Sequence, residues 1–204
     1  MRLNGVQRLL ETGLIVSTFA AVFILCALIS FHPADPAWSQ TGEFTNVQNI
    51  TGTAGAWVAD ILLLTFGWLA YFVPAAIQLL GYLVFKQPHR ILQLDYTTLG
   101  LRIIGFALFI TSATAISSIN FDDIYNFSSG GVVGDVIASA MMPAFNFTGT
   151  SILLLCFFFA GLTLLTGVSW VQFVDYLGDL IVRLYRFLVT YARGWMQRER
   201  IAGK

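Results

Sequence analysis

A chain of 204 residues in which 57% are hydrophobic and only 11% charged is not an ordinary soluble domain, where about a quarter of the residues carry charge. The 11 basic and 11 acidic residues cancel to a formal net charge of zero, but it is their placement that excludes a basic nucleic-acid face as the organising feature. The charges are absent from long apolar blocks and sorted by sign outside them, a pattern that a bilayer selects.

The first block, Gly13 to Phe31, follows Arg2 and Arg8 and is uncharged. It is longer than the roughly 7–15-residue core of a cleaved signal and, as a helix, about one bilayer thick, so it reads as an uncleaved anchor. His32-Pro33-Ala34-Asp35-Pro36 stops it, because two prolines remove backbone donors. Ser39 to Gly55 is polar, lacks an apolar period and is expected to be an aqueous loop.

The second block, about 56–85, exceeds the roughly 20 residues a span requires. Pro74 lies inside it and predicts a kink near Leu69 to Pro74. Lys86, Pro88, His89 and Arg90 close the block, and the third runs over 99–119 with Arg102 near its start. Asn120, Asp122 and Asp123 end that span. From Val132 to Met141 apolar residues recur at helical spacing over too short a length to cross, which predicts a helix lying on the membrane surface or dipping into it. The fourth block is about 150–168. From Trp170 to Arg198 the apolar positions Phe173, Leu177, Leu180, Leu184, Leu188, Tyr191 and Trp195 predict an amphipathic juxtamembrane helix.

The predicted fold is therefore all-α and polytopic, with four transmembrane helices, a short periplasmic interfacial helix and a C-terminal amphipathic helix. A four-span membrane domain is expected over 1–169, with loops 32–55 and 120–149 periplasmic and 86–98 cytoplasmic. An amphipathic helix and basic tail follow over 170–204. Orientation follows from the lysines and arginines, which are retained on the cytoplasmic side. All 11 fall before the first span, between the second and third, or after the fourth: Arg2, Arg8, Lys86, Arg90, Arg102, Arg183, Arg186, Arg193, Arg198, Arg200 and Lys204. The other two connections carry only Asp35, Glu43, Asp122, Asp123 and Asp135. Both termini are thus expected in the cytoplasm.

Little in the sequence points to chemistry. Cys26 and Cys156 lie in apolar blocks without partner spacing and read as packing residues. His32 and Asp35, with Glu43 or Asp122, are the only material for a periplasmic metal-dependent hydrolase, and they do not make a complete ligand set. Asp60 is the one acid inside a hydrophobic block and the only basis for a channel or transporter reading. Its place in the first turns of an over-long span favours a carboxylate at headgroup level. No catalytic, cofactor-binding or metal residue is assigned, no small-molecule substrate is expected, and the small residues, Gly105 and Gly161 among them, predict close helix packing.

Several stretches together resemble the N-terminal membrane domain of the FtsK family of bacterial DNA translocases. They are Ser30-Phe31-His32-Pro33-Ala34-Asp35-Pro36-Ala37-Trp38-Ser39-Gln40, Gly55-Ala56-Trp57-Val58-Ala59-Asp60 and Leu101-Arg102-Ile103-Ile104-Gly105. With them stand Asp122-Asp123-Ile124, Gly130-Gly131-Val132-Val133-Gly134, and Ala160-Gly161-Leu162-Thr163-Leu164-Leu165-Thr166-Gly167 followed by Ser169-Trp170-Val171. The resemblance implies a septal anchor in the inner membrane that contacts the lipid bilayer and other divisome membrane proteins. It also implies a homo-oligomer, hexameric with its motor, that tethers an ATP-driven chromosome-segregation machine. The family's linker, ATPase and DNA-reading module lie outside these 204 residues, so no ATP or nucleic-acid contact is carried over to any of them. A fragment and a stand-alone anchor are both compatible with the sequence.

Overall fold

The computed structural model describes residues 5–40, 47–86, 96–170 and 172–186. The described regular elements are helices: α1 (Gly5–Ile29), α2 (Gly52–Phe66), a 3-10 segment (Gly67–Phe72), α3 (Val73–Lys86), α4 (Tyr96–Asn120) and α5 (Gly131–Thr166). A sixth, α6, occupies 172–186. Four stretches are long and apolar enough to cross a membrane: Gly5–Ile29, Gly52–Lys86, Tyr96–Asn120 and Gly131–Thr166. Most of their large apolar side chains are exposed in the isolated chain, Phe19 and Phe72 among them, which is the distribution a lipid solvent favours.

The helices are longer than the apolar blocks suggest, and two of them are interrupted. The expected kink near Pro74 falls in the preceding 3-10 turn, because Pro74 sits in the first turn of α3, where its missing N–H costs nothing. The break itself is at Gly67, with φ 56° and ψ −129°, a region closed to residues with a Cβ. The second interruption is at Asn146, with φ 55° and ψ 179°, which divides α5 into 131–145 and 147–166. The helix expected over Val132 to Met141 thus starts one residue earlier and runs on to 145, and the residues just before Thr150, read from sequence as loop, are helical apart from Asn146. Thr150 shows what the second break costs: it is fully buried and its Oγ1 has no hydrogen-bond partner. A helical threonine would bond the carbonyl four residues back, and here that residue is Asn146.

Close approaches between helices occur where side chains vanish. A Cβ added to Gly105 would lie 2.5 Å from the Leu165 nitrogen, and one added to Gly161 would lie 2.6 Å from the Phe109 nitrogen, so α4 and α5 touch backbone to backbone there. Phe109 and Phe158 stack beside this crossing with ring centres 5.0 Å apart. Gly81 of α3 instead receives the side chain of Ser17 from α1. The small residues singled out in sequence therefore pack within the chain at these points, consistent with association driven by van der Waals contact rather than by exclusion of water.

The apolar core is not spread evenly along the helices. Ala27, Leu28, Phe31, Ala59, Leu63, Ala70, Ile124 and Phe127 form one buried cluster at the end of the bundle where α1 and α4 finish. The chain from Thr166 onward is a separate unit. In it α6 is exposed at its described positions, and Trp170 packs edge-on against Phe173, with ring centres 5.8 Å apart. The predicted continuation through Leu188, Tyr191, Trp195 and Arg198 lies outside the described residues.

Gly67→Ala is expected to destabilise the protein by about 1–3 kcal/mol, from backbone strain and from a Cβ placed 2.1 Å from the Ser129 carbonyl oxygen. Thermal unfolding of the detergent-solubilised chain measures this, with Gly100→Ala, where a Cβ meets nothing within 4 Å, as the neutral comparison.

Candidate functional site, a hydrogen-bonded cap on one end of the bundle

The polar residues that sequence leaves scattered converge on the end of the bundle that holds the core. The turn after α1 is rigid because Asp35, 2% exposed, accepts the backbone N–H of Gln48 at 2.7 Å and of Asn49 at 2.9 Å on its two carboxylate oxygens. Asn49, also buried, donates through Nδ2 to the Ala27 carbonyl at 2.8 Å. Its Oδ1 accepts from the hydroxyls of Ser30 at 3.1 Å and Thr51 at 2.6 Å, and from the Thr51 amide at 3.0 Å. One asparagine thus joins the last turn of α1 to the first turn of α2.

Asp60 completes the first half of the cap. It is wholly buried, and its two oxygens accept the Ser39 amide at 2.7 Å and the Ser39 hydroxyl at 2.6 Å. Beside this bond Trp38 meets Trp57 edge-on, with ring centres 6.0 Å apart. The carboxylate therefore fastens the loop to α2, with both oxygens taken by Ser39. Charge-assisted bonds of this kind are among the stronger ones available to a buried acid.

The second half is built around Ser129, also fully buried. Its carbonyl accepts the Trp68 amide at 2.9 Å and the Ser117 hydroxyl at 2.8 Å, while its own hydroxyl donates to the Ser117 carbonyl at 2.8 Å. Asp123 accepts the Ser129 amide at 3.2 Å, and Trp68 Nε1 donates to the Asp122 carbonyl at 3.1 Å. Asp135 Oδ1 takes the hydroxyls of Ser118 and Ser128, both at 2.5 Å. A short bridge between Ile124 and Phe127 closes the loop, and Phe31 packs against Tyr125 and Phe127 with ring centres at 5.2 and 5.7 Å. The two loops consequently meet through two aromatic contacts, both made by Phe31.

The residues weighed for metal chemistry are not brought together in this arrangement. His32 Nδ1 accepts the Ala34 amide at 3.2 Å, and both oxygens of Asp35 are engaged by backbone. Glu43 and His89 lie outside the described residues. Among the described residues no three His, Cys, Asp or Glu side chains are grouped as metal ligands would be. Cys26 and Cys156 are free thiols, the first half-buried and the second exposed. Sequence reasoning missed Ser39, Asn49, Ser117 and Ser129, which are small polar residues with no motif of their own. The available signal was indirect and partial, since Ser39 stands in, and Ser129 next to, a stretch that marks the family.

Residues 6–178 match the family described as the 4TM region of DNA translocase FtsK/SpoIIIE. The chain belongs to that family. It is 52% identical over 186 residues to a DNA translocase FtsK of Shewanella oneidensis, covering 91% of this chain and 20% of the relative. Similarity to the DNA translocase FtsK of Vibrio vulnificus is 42% over 193 residues, covering 95% of this chain and 20% of the relative. For that of Pseudomonas syringae pv. syringae it is 32% over 191 residues, covering 92% and 24%. The chain thus spans about a fifth to a quarter of the length of these relatives. No solved structure matches it. The stretches that mark the FtsK membrane region pair in space: Trp38-Ser39 on Trp57 and Asp60, Asp123 on Ser129 beside Gly130, and Gly105 on Gly161.

Asp60→Ala leaves two Ser39 donors without their acceptor and is expected to cost about 1–3 kcal/mol of stability. Asp60→Asn, which keeps one acceptor, is expected to cost less. Comparing both with Ser39→Ala in thermal unfolding, and with the double variant, checks the pairing: non-additive losses are expected.

Proposed function

We propose that this FtsK membrane region anchors and targets a cell-division DNA translocase, holding a chromosome-segregating motor at the septal inner membrane and contacting divisome membrane proteins through its cap. The observation that carries the reading is the match of residues 6–178 to the translocase membrane region, with relatives named DNA translocase FtsK at 32–52% identity. The cap supports it. A hydrogen-bonded end with exposed aromatic side chains, including Trp38, Trp68, Phe121 and Tyr125, is a stable surface for partner proteins. In this reading the segment is not an enzyme, and the motor's ATP and DNA contacts belong to other parts of the full translocase. Its self-association, as a hexamer with the motor, follows the family expectation.

Both termini are cytoplasmic in this proposal, and the cap is periplasmic. The separation of all 11 basic residues from the two cap loops supports that orientation. Loops of opposite charge character at the two ends of the bundle are what retention of lysine and arginine during insertion produces.

Two measurements test the proposal. In a full-length translocase whose residues 1–204 are exchanged for an unrelated four-span protein, septal localisation is expected to be lost, and retained localisation removes the targeting role. Single cysteines placed near Glu43 and Asp123 are expected to react with a membrane-impermeant thiol reagent in intact spheroplasts. Cysteines near Arg90 and Lys204 are expected to stay unmodified, and the reverse pattern inverts the topology.

A further inference from the structure

The described helices repeat. α1 and α4 are each 25 residues long. Each is followed by a loop, then a 15-residue helix, 52–66 or 131–145, then a single residue with positive φ, Gly67 or Asn146. A second apolar stretch follows each break. It runs over 68–86, through the 3-10 turn to Lys86, in the first unit and over 147–166 in the second, 19 and 20 residues. The two 15-residue helices are 79 positions apart, and at that offset Gly52 meets Gly131, Gly55 meets Gly134, Ala59 meets Ala138 and Phe66 meets Phe145.

The correspondence extends to conformation. Gly52 and Gly131 open their helices with φ 75° and 61°, and each donates its amide to the carbonyl three residues back, Asn49 or Ser128, at 2.9 Å. Gly55, Ala59, Gly134 and Ala138 are buried, whereas Thr53, Trp57 and Ile61 are exposed, as are Val132, Val136 and Ala140 at the equivalent positions. Shared positions, shared buried face and shared break make this a repeat of structure and not only of length.

The first of these helices has both ends at one level. A helix of that length is about 22 Å long, so one running down the bundle would end far from the last turns of α1 and α4. Instead the start of α2 is bonded to Ala27 and Ser30, and the residues just past its end are bonded back to the same region. Trp68 reaches Ser129 and Asp122, and Tyr71 Oη donates to the Leu28 carbonyl at 3.4 Å. α2 therefore crosses the end of the bundle. In the second unit Ser128 and Ser118 share Asp135, and Gly134 lies against Thr114, which seats the start of the helix at the same level of α4.

We propose that the chain is a tandem repeat of one unit, made of span, loop, surface helix, hinge residue and span, and that both surface helices bed their exposed faces in the lipid interface instead of crossing the membrane. The crossing segments are then 68–86 and 147–166, each about 30 Å long and matched to a bilayer's hydrocarbon core. Lipid is the occupant of the faces at 53, 57, 61 and 132, 136, 140 because they are continuous with the exposed apolar surface of the spans. Trp57 is exposed on that face, where an indole ring favours the headgroup boundary.

The test is depth measurement on the whole chain in phospholipid vesicles, with Cys26 and Cys156 replaced by alanine and single fluorophore-labelled cysteines read against shallow and deep lipid-borne quenchers. Thr53→Cys and Ile61→Cys are expected at equal depth, as are Val132→Cys and Ala140→Cys, all within about 10 Å of the headgroup boundary. Leu79→Cys and Leu155→Cys are expected near the bilayer centre. A depth difference approaching 12 Å between the members of either pair, the rise of a crossing helix over eight residues, overturns the proposal. Labels that neither quencher reaches overturn it too, since a second copy or another protein then covers the face. Trp57→Cys and Val136→Cys, expected at the same shallow depth, give the reading for any end variant that does not insert.

Discussion

Where a helix is interrupted near lipid, the freed backbone groups have no water to turn to, and the interruption survives only if protein atoms take the place of the lost bonds. At Gly67 that atom is the Ser129 carbonyl oxygen, which accepts the Trp68 amide and the Ser117 hydroxyl together. The cost of the break in the first half of the chain is thus met by a loop from the second half. Gly130 and Gly131 are required alongside, because a Cβ at either would strike the backbone of Thr114 or Thr65. Removing the glycines would push the loop outward and leave the Trp68 N–H unpaired. The Ser-Ser-Gly-Gly turn, the break in the second apolar stretch and the last turns of α4 are therefore one structural unit, though distant in sequence.

That dependence accounts for the uneven core. Helices in lipid gain nothing by hiding apolar surface from apolar solvent, so the long faces of α1, α4 and α5 remain exposed and meet mainly where glycine or serine allows backbones to approach. At the cap, water and polar backbone return. Burial again carries a driving force, and the aliphatic cluster around Leu28 and Leu63 forms directly beneath the hydrogen-bonded loops. Asp35 and Asp60 belong to this layer. Each is buried, and each has both oxygens occupied by donors from a loop.

Much of this was legible in the sequence, for reasons that can be separated. The all-helical class and the four apolar stretches follow from block length and charge, which act locally and need no tertiary information. The irregularity near Pro74 was also visible, although the residue that adopts the strained conformation is Gly67, seven positions earlier, because the turn answers to Ser129 and not to the proline. The break at Asn146 was visible as an interval and not as a residue: Pro143, Asn146 and Gly149 separate the helix ending at Met141 from the fourth apolar block, and in the structure Asn146 alone leaves helical geometry. Asp60 stood out in the sequence, but its partner did not, since Ser39 lies 21 residues away in a loop whose path the sequence does not specify. The serines and asparagine of the cap are short polar residues whose role is set by contact across the chain, and composition is blind to them.

The two halves of the chain differ where their loops differ. The segment between α1 and α2 occupies 30–51 and that between α4 and α5 occupies 121–130, so the first is 12 residues longer. The additional length lets Trp38 and Ser39 fold back onto α2 and reach Asp60. Position 139, the counterpart of Asp60 in the second half, is a serine whose hydroxyl bonds only the Val136 carbonyl of its own helix. A buried acid is tolerable in the first half because a loop long enough to donate to it is present; in the second half, where no such loop arrives, a small self-satisfying hydroxyl stands instead. Residue choice at one position in each half is thus set by loop length at another, and the cap gains a covered face on one side and an open one on the other from a common plan.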